Sequence, residues 1–238
     1  MDQQAATSDA PFAHVALVEQ SAPSALTALA KAAFDRAWRG EGSLDAAARA
    51  IEGMSGQKYR LFINNLISTL PDARYLEVGC WAGSTLCAAL SGNAVSALAI
   101  DNWSQFGGPA AAFFTNIARF KAKSRLSFLE RDFRDVRYAE IGKFNVYLYD
   151  GPHSAQDQRD GVVIAQPALD DEFVLIVDDW NWADVRNGTL SALRELRLGR
   201  EWAVEVRTSL DNSHPDYKGK SSDWHNGYMI GVFSKPAH

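Results

Sequence analysis

Acidic residues stand at the ends of successive short apolar runs in this 238-residue chain: Glu77 in YLEV, Asp101 in ALAID, Asp132 in LERD, Asp150 in VYLYD and Asp178-Asp179 in VLIVDD. Asp150, Asp178 and Asp179 form the most chemically suggestive subset. If their strands lie side by side, three carboxylates converge on one edge, where they repel one another, and a divalent cation is the economical neutraliser. Hard oxygen ligands favour Mg²⁺, with Mn²⁺ or Ca²⁺ as alternatives. A cation held there acts as a Lewis acid on a substrate hydroxyl, making the alkoxide accessible near neutral pH. His153 follows Asp150 by three residues and is placed to take the proton. It could instead serve structure or ligate the metal. A plainer reading of the acids is also open, in which Asp178 or Asp179 caps the following helix and Asp150 caps a loop.

The second constellation is YLEVGCWAGST, Tyr75–Thr85. A strand-like run passes through Gly79 and Gly83 into a helical pattern at Cys87–Leu90. Glycine suits such a turn because it tolerates positive φ and lets a ligand approach bare backbone. The pattern is not G-x-G-x-x-G, which weakens a dinucleotide reading. Glu77 accepts hydrogen bonds or positive charge but repels a pyrophosphate. A nucleotide-like ligand without phosphates is therefore the better fit, and S-adenosylmethionine, with its sulfonium and ammonium charges, meets that description. Asp101 falls about 20 residues beyond the turn, where an acid grips ribose hydroxyls in nucleotide-binding sheets.

The elements that must position these residues follow from hydrophobic period. Candidate strands are Tyr75–Val78, Val95–Asp101, Leu126–Glu130, Phe144–Tyr149, Phe173–Asp178, Trp202–Arg207 and Tyr228–Ser234. Helix-compatible segments separate the first five, which predicts βαβ units and a parallel sheet. The last two lack a helix between them and fit an antiparallel hairpin with a long insertion. The fold class is α/β, a doubly wound, mostly parallel seven-stranded sheet with an N-terminal helical extension. Upstream, Leu26, Leu29, Ala33, Phe34 and Ala37 keep helical spacing, Ser43 suits the N-cap of a helix over Leu44–Ile51, and Gln57–Leu70 forms a third helix. Residues 1–23 read as an arm without strong pattern.

Over roughly Lys58–Lys235 the ordered acids and glycines resemble the class I S-adenosylmethionine-dependent methyltransferases. The resemblance implies that Gly79 and Gly83 border the methionine moiety, with Glu77 beneath them and Cys80, Trp81 and Ser84 in the same turn. It implies that Asp101 holds the ribose, that Asn102 and Trp103 flank the adenosine, and that Asp132 meets the adenine amine. Trp103 has packing as an alternative role. The Asp150, then Asp178-Asp179 order is similar to the metal-dependent O-methyltransferases of the catechol and macrocin types. Many catechol-type enzymes carry Asp-Asn at the second position, so the third ligand here is Asp179 or Asn181. The resemblance implies residues 1–56 as arm and helical cap and 57–238 as the cofactor-binding domain.

Net charge is −5 with no block of Lys or Arg, which argues against a general nucleic-acid surface. The N-terminus lacks the basic start and apolar core of a secretory signal, and no apolar run reaches the length needed to span a bilayer. Cys80 and Cys87 have neither metal-site spacing nor a disulfide framework, consistent with a soluble protein of the reducing cytoplasm. The leading expectation is a metal-assisted O-methyltransferase acting on a small hydroxylated molecule. A metal-independent N- or O-methyltransferase using His153, and a non-catalytic nucleotide-fold module, are the alternatives. Trp180, Trp182, Arg186 and Asn187 suit either a substrate wall or the core. The polar insertion Asp211–Asn226 reads as a surface segment over the site or a homo-oligomer contact, with His214 and His225 solvated.

Overall fold

The near-continuous apolar runs of the central strands produce a sheet with two buried faces. The computed structural model describes residues 12–16, 23–215 and 222–237. All seven expected strands form: β2 (Arg74–Val78), β3 (Ser96–Asp101), β4 (Arg125–Glu130), β5 (Phe144–Tyr149), β6 (Leu169–Val177), β7 (Gly199–Arg207) and β8 (Tyr228–Ser234). An eighth, β1 (Phe12–Ala16), lies antiparallel against β7, with Phe12 opposite Arg207. Residues 12–16 therefore belong to the sheet rather than to an unpaired arm; the rest of 1–22 lies outside the described residues.

The strand order is β1-β7-β8-β6-β5-β2-β3-β4. β2 to β6 pair in parallel, while β8 runs antiparallel between β6 and β7, as the missing crossover helix required. One face carries Tyr75, Ala97, Val146, Leu148, Val174 and Ile176 against α1 (Ala25–Trp38), α3 (Gln57–Thr69) and α4 (Ser84–Leu90). The other carries Leu76, Val78, Tyr147, Leu175 and Val177 against α6 (Ala155–Ala165) and α7 (Ala183–Glu195). Neighbouring residues of one strand thus enter different cores. The short α2 covers Ala46–Arg49 with Asp45, not Ser43, as its side-chain cap. α5 (Ala110–Phe120) lies on the α4 side, where Phe113 packs beneath Gly83. Among the described residues no helix is long and apolar enough to cross a membrane.

α3 begins without a side-chain cap at Gly56. Carbonyls from the distant segment before β8 satisfy its first amides instead: Gln57 N–H donates to Ser222 O at 2.8 Å and Lys58 N–H to Asp223 O at 3.0 Å. A Cβ on Gly56 would lie 2.1 Å from the Asp223 carbonyl oxygen, so only glycine permits that approach.

Candidate active site

The carboxyl ends of the parallel strands open into a cavity of about 250 Å³. One side is built by the turn after β2 and the ends of β3 and β4: Gly79, Trp81, Asp101, Asn102, Asp132 and Phe133. The other is built by the ends of β5 and β6 with Asp150, His153, Asp178, Asp179 and Trp182. Met54, Phe106, His214 and His225 also contribute to the lining.

On the first side, Asp101 organises two turns at once. Its Oδ2 accepts from the Trp81 backbone N–H at 2.7 Å and its Oδ1 from the Trp103 N–H at 2.7 Å. Trp81 and Trp103 both sit at positive φ, 41° and 46°, conformations this carboxylate helps hold. Asn102 Nδ2 donates to Asp132 Oδ2 at 3.1 Å, tying the ends of β3 and β4 together. Gly79, at φ 84°, lies so close to the end of β5 that an added Cβ would fall 1.8 Å from the Asp150 carbonyl oxygen.

Five residues expected at the cofactor do not line the cavity. Cys80 is buried in the turn, Gly83 caps α4, and Ser84 Oγ lies 3.1 Å from Ser55 Oγ beneath the N-terminal segment. Trp103 packs on Phe113, Phe114 and Phe128, so its packing role is the one seen. Glu77 points to the α4 face of β2, fully buried, accepting from Tyr75 Oη at 2.5 Å and Thr85 Oγ1 at 2.6 Å. It lies below the turn, as the sequence implied, but its oxygens serve the protein interior.

Burial pushes the Glu77 carboxyl up to about 7 from 4.5, although the Thr85 and Tyr75 hydroxyls pull the other way. An acid raised in this way stabilises the fold fully below its unfolded pKa and loses that contribution as pH rises through the folded one. Wild-type stability should therefore fall between about 4.5 and about 7, the bounds set by Glu77. The shift corresponds to at most about 3 kcal/mol. Glu77→Gln lacks this slope, so urea unfolding at the two ends of the window should show the variant gaining on the wild type. A constant difference would refute the assignment.

On the second side, Asp150, His153 and Asp179 each offer a ligand atom, all within 4.8 Å of one another. His153 Nε2 lies 2.7 Å from Asp179 Oδ2, and its ring meets Trp182 edge-to-face at 4.8 Å. Asp179 adopts φ 58°, a left-handed conformation that Asp tolerates better than most residues, which lets successive acids after β6 face different partners. Asp178, also in the cavity wall, is bonded to its neighbours: its Oδ1 accepts the Asp179 N–H at 2.6 Å, and its carboxyl meets Asp150 and the Tyr228 hydroxyl. Asp150, Asp178 and Asp179 all reach the cavity, and His153, for which the sequence left base, structural and ligand roles open, joins Asp150 and Asp179 in the closest ligand group. Asn181, the other candidate ligand, is spent. Its Nδ2 donates to Thr208 Oγ1 and Asn226 Oδ1, and its Oδ1 accepts from the Thr208 and Ser209 amides.

Burial and the adjacent carboxylates of Asp178 and Asp179 push Asp150 well above the usual range; burial and Asp179 do the same to Asp178. Burial also works to raise Asp179, but the His153 hydrogen bond and charge, with the Asn226 amide, outweigh it and hold that carboxyl low. This edge carries more acid than its own cations balance. Two carboxylates and an imidazole around a common point, backed by a further buried acid, fit a divalent cation.

Sequence reading missed the cavity roles of Met54 and Phe106, and it left His214 and His225 in solvent. The structure brings His214 and His225 to the cavity wall, with His214 Nε2 3.3 Å from His225 Nε2 and the His214 ring 6.1 Å from Trp182. Trp182 lines the cavity, whereas Trp180 is core. Arg186 donates to the Trp180 and Asn181 carbonyls and to Asn212 Oδ1, bracing the turn after β6.

A family model described as "Methyltransferase domain" matches residues 76–180, the span holding the glycine turn and every strand-end acid. No curated protein is similar. Among solved structures, TrmN from Thermus thermophilus aligns with a TM-score of 0.53 at 16% identity, over 80% of this chain and 52% of its own, so this chain spans about half its length. A putative RNA methyltransferase from Pyrococcus horikoshii aligns with a TM-score of 0.50 at 14% identity, over 90% of this chain and 99% of its own. An O-methyltransferase from Bacillus cereus, solved with S-adenosylhomocysteine, gives 0.50 at 15%, over 86% and 91%. At these identities the likeness speaks to the fold, and the matched segment speaks to the activity. This chain thus has the fold of these methyltransferase structures, and its residues 76–180 match the methyltransferase domain.

Proposed function

We propose that the protein is a divalent-metal-assisted O-methyltransferase acting on a hydroxyl of a small molecule. The observation that carries this reading is the convergence of Asp150, His153 and Asp179 at the end of the cavity away from Asp101 and Asp132. The acids at the ends of β3 and β4 suit the ribose and adenine of the methyl donor, and its sulfonium would then lie towards the β5 and β6 ends. A cation held by Asp150, His153 and Asp179 would supply Lewis acidity at the acceptor hydroxyl. The chain's own part is to fix the acceptor beside the donor and to exclude water under Met54, Phe106 and His214. His153, oriented by Asp179, offers either a ligand nitrogen or a place for the hydroxyl proton.

A cavity of about 250 Å³ and a net charge of −5 favour a small acceptor over a nucleic acid. Titration calorimetry should show S-adenosylhomocysteine binding, and an acceptor screen with labelled methyl donor should show transfer lost to EDTA and restored by Mg²⁺ or Mn²⁺. No binding at millimolar ligand would sink the cofactor assignment. Transfer indifferent to EDTA would sink the metal and leave His153 acting alone.

A further inference from the structure

Asn226 lies outside the cavity lining, two residues before the start of β8, and is fully buried. Its Nδ2 donates to Asp179 Oδ1 at 2.6 Å, and its Oδ1 accepts from Asn181 Nδ2 at 3.0 Å. Its backbone carbonyl accepts the Asn181 N–H at 3.0 Å. The donation to Asp179 occupies one carboxylate oxygen and leaves the other, Oδ2, directed at His153 2.7 Å away. The Asn226 amide on one oxygen and the His153 ring on the other together fix the rotation of the Asp179 carboxylate about its Cβ–Cγ bond.

The same amide is the junction of a wider polar unit. Asn181 passes the connection to the Thr208 and Ser209 amides, and Thr208 Oγ1 donates to the His225 carbonyl at 2.7 Å. Arg186 joins the unit from α7, bonding the Asn181 carbonyl on one side and Asn212 on the other. The segment carrying His214 and His225 is therefore keyed to the same bonds that aim Asp179. Partners that orient a ligating carboxylate in this way commonly matter almost as much as the ligand.

We infer that Asn226 is a positioning residue that sets which oxygen of Asp179 faces the cation site and couples that choice to the His214–His225 wall. The inference rests on the metal-assisted reading proposed above, and it concerns an amide that neither the sequence motifs nor the cavity lining marks.

The test measures Mn²⁺ affinity directly, by electron paramagnetic resonance of free Mn²⁺, on the full chain saturated with S-adenosylhomocysteine. Asn226→Asp is close to isosteric but replaces the donor by a like charge, and Asn226→Ala removes the donor. Both should weaken Mn²⁺ binding by about 10- to 100-fold. S-adenosylhomocysteine affinity, which reports the folded β2–β4 side, should stay within about twofold. Asn226→Ser retains a hydroxyl donor and should lie between these variants and the wild type, the expected partial rescue; it also carries the test should Asn226→Asp not fold. In turnover, kcat should fall while KM for S-adenosylmethionine holds. Wild-type Mn²⁺ affinity in Asn226→Ala and Asn226→Asp, with only melting temperature lowered, would overturn the inference and leave the metal reading standing. A wild type that binds S-adenosylhomocysteine but no Mn²⁺ would overturn both.

Discussion

Asp179→Ala is expected to lower methyl transfer by about 10³-fold while S-adenosylhomocysteine binding stays near the wild-type value. The variant removes a carboxylate that faces His153 and contributes to the only three-residue ligand group found among the described residues. Charge stabilisation by a bound cation is worth several kcal/mol at the transition state, and about 1.4 kcal/mol is tenfold in rate. On the proposed reading the cofactor sits against the ends of β2, β3 and β4 rather than at Asp179, so its binding should survive. Asp178→Asn offers the contrast. Asp178 meets Asp150, Tyr228 and the Asp179 amide rather than the converging point, so loss of its charge should cost about tenfold or less. Steady-state rates and calorimetry on both variants check the pair. Equal losses would return Asp178 to the ligand set.

Gly79→Ala is expected to have the largest effect on stability and to abolish cofactor binding with it. Its φ of 84° already disfavours any side chain by about 1–2 kcal/mol. Its Cβ would also fall 1.8 Å from the backbone oxygen of Asp150, an atom that cannot swing aside as a side-chain tip could. Relief requires the ends of β2 and β5 to separate, although Asp150 N–H donates to Val78 O at 2.8 Å. A loss of about 3 kcal/mol or more follows, in the range of severe single substitutions. Thermal unfolding and S-adenosylhomocysteine titration check it. A variant with unchanged melting temperature would show that the turn relaxes freely. Gly92→Ala provides the control, since φ there is 76° but nothing lies within 4 Å of an added Cβ. It should show the conformational cost alone.

The ends of the parallel strands were legible because two signals coincide there: short apolar runs that end, and acids or glycines that follow. Phe144–Tyr149, followed by Asp150 and Gly151, was readable to the residue for that reason. β1 was not, because FAHVA is short and stands among Ala, Ser and Pro, and its order comes from the edge of β7 rather than from its own pattern. The acid cluster was legible in composition but not in direction. Which of Asp178 and Asp179 pairs with His153 depends on a left-handed backbone at Asp179, which no local spacing announces. His214, His225 and Asn226 lie on the long segment between β7 and β8. Only the antiparallel return of β8 beside β6 brings that segment back over the site, so no sequence-local feature could have assigned them.

The start of α3 has a consequence for the order in which this chain can finish folding as it is made. The amides of Gln57 and Lys58 find their acceptors at Ser222 and Asp223, more than 160 positions later. Until that late segment leaves the ribosome, the first turn of α3 must rely on water for those bonds. The sheet from β2 to β6 can assemble in the meantime, since each of its parallel pairs joins strands already synthesised. The final clasp comes last and closes a large loop, a step of high contact order. Nascent chains halted short of residue 222 should therefore show a protected sheet beside a helix whose N-terminal turn still exchanges its amide hydrogens with solvent.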